Sequence, residues 1–254
     1  MIIYFSATGN SRFTAASLAE HLGDRLELIT DLKGDVLLSD NERVVFVFPI
    51  HSWGMPKGLS ERISNMRFSR TADAFMVGVC GDDTGLAEQE WEKAIAPTRL
   101  NPIAEYSIRM PNTYVLLPGF DVDSDEVESR KLTAAPKAIQ HIANAIASGN
   151  TGDHTHHGGF AFIKSKVIRP FFMRAISDKK FRCDVVKCVS CGKCSKVCPV
   201  QNIAMVDGHP QWQGNCINCL ACYHYCTCKA IQYGSSTKNK GQYRFRKNNV
   251  NNEK

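Results

Sequence analysis

Read as apolar and polar positions, the chain opens on an unbroken apolar run, Met1-Ile2-Ile3-Tyr4-Phe5, as a strand buried on both faces requires. A small polar turn follows, Ser6-Ala7-Thr8-Gly9-Asn10-Ser11, and then Phe13, Ala16, Leu18, Ala19 and Leu22 fall on the apolar positions of a helix. Strand-like runs recur at 26–30, 44–48 and 75–80 with helical patterns between them, and a fifth lies around 103–109. Residues 117–128 are acidic and turn-rich. Residues 129–147 read as a closing helix, with Leu132, Ile139, Ile142 and Ile146 near helical spacing and Gly149 at its stop. This alternation predicts an α/β domain over 1–150, a doubly wound parallel sheet of five strands with ligands at the strands' C-terminal ends.

Beyond it the pattern changes. Residues 151–180 are expected to be a linker and a packing helix. Thr151 to Gly159 (TGDHTHHGG) reads as a solvated loop, because no cysteine or acid cluster in sequence completes a metal site around His154, His156 and His157. Residues 160–176 are apolar with interspersed Lys and Arg, a helix packing one domain on the other, with a membrane-surface helix as the alternative. A small α+β domain is expected at 181–233. A basic polar tail occupies 234–254, which Tyr243 and Phe245 can anchor.

The cysteines carry the strongest chemistry. Cys188, Cys191, Cys194 and Cys198 form one C-x2-C-x2-C-x3-C run, and Cys216, Cys219, Cys222 and Cys226 repeat it. Thiolate is the soft ligand that iron–sulfur clusters require, and this spacing is that of the bacterial two-cluster ferredoxins. Pro199 follows the first run as in that motif, whereas Thr227 stands where the second proline is expected. The resemblance implies two [4Fe–4S] clusters, one held by Cys188, Cys191, Cys194 and Cys226, the other by Cys216, Cys219, Cys222 and Cys198. Zinc knuckles would leave the later cysteines of each run unused. A disulfide framework needs an oxidising compartment to which nothing in the sequence points. Cys80 reads as a core cysteine, and Cys228 is the rival to Cys226.

Charge divides unevenly. From Lys179 onward there are 13 Lys+Arg against 3 Asp+Glu, while the first 178 residues hold 18 against 22. Nucleic acid is one reading of a basic half. Two cubanes, about −4 together, take up much of the formal +6 of the chain, so compensation of bound anions is the nearer reading. No run approaches the roughly twenty apolar residues of a membrane span, and MIIYFSATGNS has no basic leader, so a cytoplasmic protein is expected.

The turn after the first strand, SATGNS at 6–11, resembles the phosphate loop of flavodoxins, which grips FMN without a positive side chain. That resemblance implies FMN contacts from Ser6, Thr8, Gly9, Asn10 and Ser11. It places ring contacts in the later strand exits, at His51, Trp53 and Gly54 and at Gly81, Asp82, Asp83 and Thr84. Trp53 is the candidate to lie against the ring, the alternative being a hydrophobic lid. Asp82 and Asp83 read either as helix-capping acids or as carboxylates that lower the flavin's potential. With both halves together the chain resembles the ferrodoxins, a flavodoxin-like FMN domain fused to a ferredoxin-like two-cluster domain. The resemblance implies electron transfer between a redox-protein partner and FMN through the clusters. Two other functions stay open: a flavin-dependent reductase of a small electrophile such as a quinone, and a redox-sensing or nucleic-acid-binding protein using the basic half.

Overall fold

The computed structural model describes residues 1–246. Six parallel strands form the central sheet: β1 (Ile2–Tyr4), β2 (Leu26–Leu28), β3 (Val44–Pro49), β4 (Ala72–Cys80), β5 (Leu100–Arg109) and β6 (Gly152–His154), in the order β2-β1-β3-β4-β5-β6. The run of apolar residues in β3 and β4 is explained by burial on both sides. Ile3, Phe46, Phe48 and Met76 point to one face, where α2 (Leu59–Ser64) and α3 (Ala87–Ile95) pack. Ile2, Val45, Val47 and Val77 point to the other, under α1 (Asn10–Leu22) and α4 (Asp125–Ala147). Trp91 of α3, fully buried, meets Phe46 edge-on at 6.3 Å.

The sixth strand corrects the expected count of five and the expected linker. Residues 152–154 pair in parallel with β5, Ala104 opposite Gly152 and Tyr106 opposite His154. The His154 ring stacks on Tyr106 at 5.2 Å, and His156 N–H donates to Ser107 Oγ just beyond the pairing. All three residues of β6 are exposed, so no apolar alternation marked it as a strand.

The second domain has a smaller core. β7 (Phe181–Cys183) pairs antiparallel with β10 (Ile231–Tyr233), and β8 (Ile203–Val206) with β9 (His209–Trp212). Phe181 stacks on Trp212 at 5.2 Å and meets Tyr233 edge-on at 4.9 Å. Val115 and Leu116, from the loop after β5, belong to this core, so the two domains share side chains.

On either side of the β8–β9 hairpin the chain repeats itself with a period of 28 residues. Cys188 and Cys216 begin the two copies, and Cys198 and Cys226 end them. The backbone repeats as well. Positive φ occurs at Ser190 (54°) and Asn218 (52°), at Gly192 (67°) and Leu220 (61°), and at Gln201 (51°) and Lys229 (52°). Each copy carries one helical turn, α6 (Lys193–Lys196) and α7 (Ala221–His224). Leu220, where the first copy has glycine, accepts a left-handed conformation costing about 1–2 kcal/mol, offset by burial of its side chain in the small core.

The tail is folded up to residue 246. Tyr243 N–H donates to His224 Nδ1, Tyr243 Oη donates to Asn10 Oδ1 at 2.7 Å, and Phe245 stacks on Phe13 at 4.4 Å. It runs as a strap from the second domain onto α1. Residues 247–254 of the expected tail lie outside the described residues.

Candidate functional site

The exits of β1, β3 and β4 open on one cavity of about 710 Å³, within the usual range of small-molecule sites. Ser6, Thr8, Asn10 and Ser11 line one end, and His51, Trp53, Gly81, Asp82 and Asp83 line it further along. Ser6 Oγ is buried and has no hydrogen-bond partner among the described residues, as a hydroxyl meant for a bound acceptor would be. The first turn of α1, whose Asn10 and Ser11 line the same end, has no side-chain cap for its N–H groups. These features fit a phosphate-bearing ligand.

Three expected contacts, Gly9, Gly54 and Thr84, lie off the cavity lining, and a fourth, Asn10, lines it with its side chain bound elsewhere. Gly9 does not line the cavity: its φ of 105° demands glycine, and a Cβ there would lie 2.8 Å from Phe245 Cβ, so the tail is what approaches it closely. The side chain of Asn10 is committed to the fold, Nδ2 donating to the Pro111 carbonyl while Oδ1 accepts from Tyr243. A Cβ on Gly54 would strike the Arg169 guanidinium and the Glu90 carboxylate, so that face is filled by protein. Thr84 is fully buried, with Oγ1 within reach of the His156 carbonyl at 3.3 Å.

Asp83 is neither a free charge beside the cavity nor a helix cap. Lys164 Nζ donates to its Oδ2 at 2.5 Å, its Oδ1 accepts from Gly85 N–H, and α3 begins after Leu86 without a side-chain cap. Pairing with Lys164 cancels most of the field that an unpartnered carboxylate would exert. Asp82 lies exposed at the rim.

The loop 51–55 is held by residues that the sequence did not single out. Ser52 and Trp53 have positive φ, 49° and 61°, a conformation that costs energy without glycine. A π-helical segment, Ile163–Ile168, runs into α5 (Arg169–Ala175), and its inner face grips the loop. Ser165 Oγ donates to the Trp53 carbonyl at 3.0 Å. The buried Arg169 guanidinium donates to the His51 carbonyl, to the Met55 carbonyl at 2.6 Å and to Glu90 Oε2 at 2.9 Å. Burial, with the Arg169 charge close by, lowers the His51 imidazole to about 4, so it is neutral. Lys164, Ser165 and Arg169 were legible only as an interruption of an apolar run.

Of the histidines at 154–157, His157 meets two acids, Asp153 close by in sequence and Glu88 from elsewhere in the chain. His157 Nδ1 lies 2.7 Å from the Gly85 carbonyl, and its Nε2 lies 2.8 Å from Asp153 Oδ2, with buried Glu88 also close. Burial alone would lower its pKa, but the Gly85 carbonyl and the two carboxylates outweigh that and raise it.

One wall of the cavity belongs to the second domain. Ile217, Asn218, Cys219 and Leu220 line the cavity together with Ser6 and Trp53. Cys219 lies within electrostatic range of Cys216 and Cys198, and Cys222 within range of all three. Burial holds these thiols up, Cys216 to about 11 and Cys219 to about 12, so a bound cation must replace the protons. Cys194 lies near Cys191 and Cys226, and Cys183 near Cys188, Cys194 and Cys226. Cys198 therefore sits with Cys216, Cys219 and Cys222 of the other run, and Cys226 with Cys194. Their sulfurs are treated alike: Asn202 N–H donates to Cys198 Sγ at 3.2 Å and Ala230 N–H to Cys226 Sγ at 3.3 Å. Two soft-donor groups of four fit two clusters. Cys228 hydrogen-bonds Cys226 beside the second of these groups.

A family model described as a 4Fe-4S dicluster domain matches residues 180–227. No curated protein matches the chain. The C-terminal part is thus a ferredoxin-type iron–sulfur domain, with a role in electron transfer. Among the described residues no helix is long and apolar enough to cross a membrane.

Proposed function

We propose that this chain is an electron-transfer flavo-iron–sulfur protein in which FMN occupies the cavity and two [4Fe–4S] clusters connect it to a redox-protein partner. Strand order supports the flavodoxin-like reading, since β2-β1-β3-β4-β5 is the flavodoxin order with its switch point at β1/β3, where the polar loop and loop 51–55 meet. Ser6, Ser11 and the first turn of α1 hold the phosphate. Trp53, kept in place by Ser165, borders the ring.

One observation carries the proposal: the loop bearing Cys219 is a wall of the same cavity that Ser6 and Trp53 line. Cys216, Cys219, Cys222 and Cys198 then hold the cluster nearest the flavin. Cys188, Cys191, Cys194 and Cys226 hold the outer one, beside exposed Cys191 and the exposed Val185, Val186 and Val189. That apolar rim, with Lys187 and Lys193 near it, is where a redox protein would dock. FMN supplies a centre that accepts one or two electrons, matching a two-electron partner to single-electron clusters.

The test is an anaerobic visible spectrum with iron, sulfide and released flavin counted on one sample. About eight iron atoms and one FMN per chain are expected. Eight iron atoms without flavin, even after FMN is offered, would leave a ferredoxin on an empty α/β domain.

A second reading, a flavin-dependent reductase of a small electrophile such as a quinone, is favoured by the apolar Phe172, Met173 and Ile176 at the cavity edge. Saturable turnover with a small acceptor separates it from a carrier.

A further inference from the structure

The segment 160–176 has two faces of opposite character. Its inner face, through Ser165, Arg169, Phe172 and Met173, holds loop 51–55 and closes the cavity. Its outer face is bare. Phe160 is 81% exposed, Phe162 66% and Phe171 67%, with Val167 and Ile168 exposed between them. Soluble surfaces tolerate single apolar residues, but a contiguous aromatic and aliphatic stripe marks a contact.

Charge narrows what that contact is. No acid occurs from 155 to 177. Lys164 and Arg169 turn inward to Asp83 and Glu90, while Lys166 and Arg174 are exposed among the apolar residues, and Lys179 and Lys180 continue the positive end. Asp178, the first acid beyond, accepts from Asn202 Nδ2 and Gly214 N–H and so is turned into the second domain. The outer face offers only apolar groups and cations. It has no neutral polar side chain to make the directed hydrogen bonds that protein interfaces carry every 100–200 Å² or so. Its length, 17 residues broken by four cations, is too short and too charged to span a bilayer.

We propose that this face docks the protein on an anionic membrane surface, with Phe160, Phe162 and Phe171 entering the acyl boundary and Lys166 and Arg174 meeting lipid phosphates. Such a segment lies in the interface, and its binding adds apolar burial to attraction by anionic lipid. The flavin is not needed for this contact.

The experiment is flotation of the cluster-loaded protein with vesicles of phosphatidylcholine, alone or with about one-third phosphatidylglycerol. Binding to the anionic vesicles and little to the neutral ones is expected. A cation near an anionic surface is worth about fivefold in binding, so K166Q with R174Q should lose roughly 25-fold. F160S/F162S/F171S should abolish flotation while keeping the iron content and visible spectrum of the parent. Wild-type protein that stays in solution with anionic vesicles overturns the proposal, and so does a triple variant that floats as well as its parent. If wild type does not float but elutes as a dimer that the triple variant splits, the face seats a second copy instead.

Discussion

Replacing Arg169 by methionine tests how the second half of the chain shapes the first. Methionine keeps the length and the apolar stem but removes every donor. The buried guanidinium serves the carbonyls of His51, Ser52 and Met55 and the Glu90 carboxylate, which is itself about one-third exposed. Carbonyls at the cavity lip can recover water, so the full penalty of orphaned acceptors does not apply to each. Two net charge-assisted bonds at about 1.5 kcal/mol apiece give a loss of about 3 kcal/mol. At 2–4 °C per kcal/mol for a chain of this size, the melting temperature should fall by roughly 6–12 °C. Because Ser52 and Trp53 hold positive φ only while clamped, the loop should relax and FMN should bind at least tenfold more weakly, with the iron content unchanged. Calorimetry gives the first number, and fluorescence of released flavin under dilution gives the second. A variant with the parental melting temperature and parental flavin affinity would refute the clamp. The E90L/R169M double variant should lose less than the two single variants summed, since each single variant already breaks the shared contact.

C198A should lower the iron count from about eight to about four and remove the cluster next to the cavity, although Cys198 belongs by sequence to the other run; loss of the outer cluster instead would refute the crossed pairing. Glu105, buried and facing Glu92, Asp153 and Glu88, is raised to about 7, chiefly by burial. Its raised folded pKa means that the stability it contributes is complete below the unfolded value and is lost as pH rises toward 7. E105Q should therefore gain about 1–3 kcal/mol over wild type at pH 8 and little at pH 4.5, read from urea midpoints; an equal difference at both pH values would exclude the assignment. Y243F removes the hydroxyl that holds Asn10 and should cost about 1–2 kcal/mol, and a Tyr243 variant with unchanged urea midpoint would show that the strap does not hold α1.

Much of the architecture was legible because its physics is local. The strands at 44–48 and 75–80 announced themselves by unbroken apolar runs, since both faces of each are covered, and α1 and α4 showed helical spacing because each covers one face of the sheet. The cysteine runs were legible because thiolate ligation imposes spacing on the chain itself. What escaped is non-local. β6 carries no hydrophobic pattern, and only the open edge of β5 makes it a strand. The clamp of Lys164, Ser165 and Arg169 acts on loops roughly 80 to 115 residues away. The acids that meet His157 include Glu88, far off in sequence. The distinction between a cavity-lining Gly81 and a strap-covered Gly9 depends on Phe245, at the other end of the chain.

The 28-residue repeat shows how two equal halves are given unequal work. Backbone conformation, thiol spacing and the N–H···S bonds to Cys198 and Cys226 are the same in both copies, so the two cluster sites start from the same local design. Their surroundings differ. Gly192 of the first copy lies near exposed Cys191, whereas its counterpart Leu220 is buried and lines the cavity despite the cost of its left-handed backbone. A glycine at 220 would relieve that cost of about 1–2 kcal/mol but open the wall between the inner thiols and the cavity. Less solvent at the inner site and more at the outer one shift the two potentials in different directions, since solvent exposure and hydrogen bonds to sulfur set cluster potential. The hydrogen bonds to sulfur match only at Cys198 and Cys226: Asn218 N–H also donates to Cys216 Sγ, so exposure and the remaining sulfur contacts both differ between the copies. Under the proposed ligation, a repeat that is symmetric in thiol spacing and asymmetric in burial sets the two cluster potentials apart without any change in ligand type.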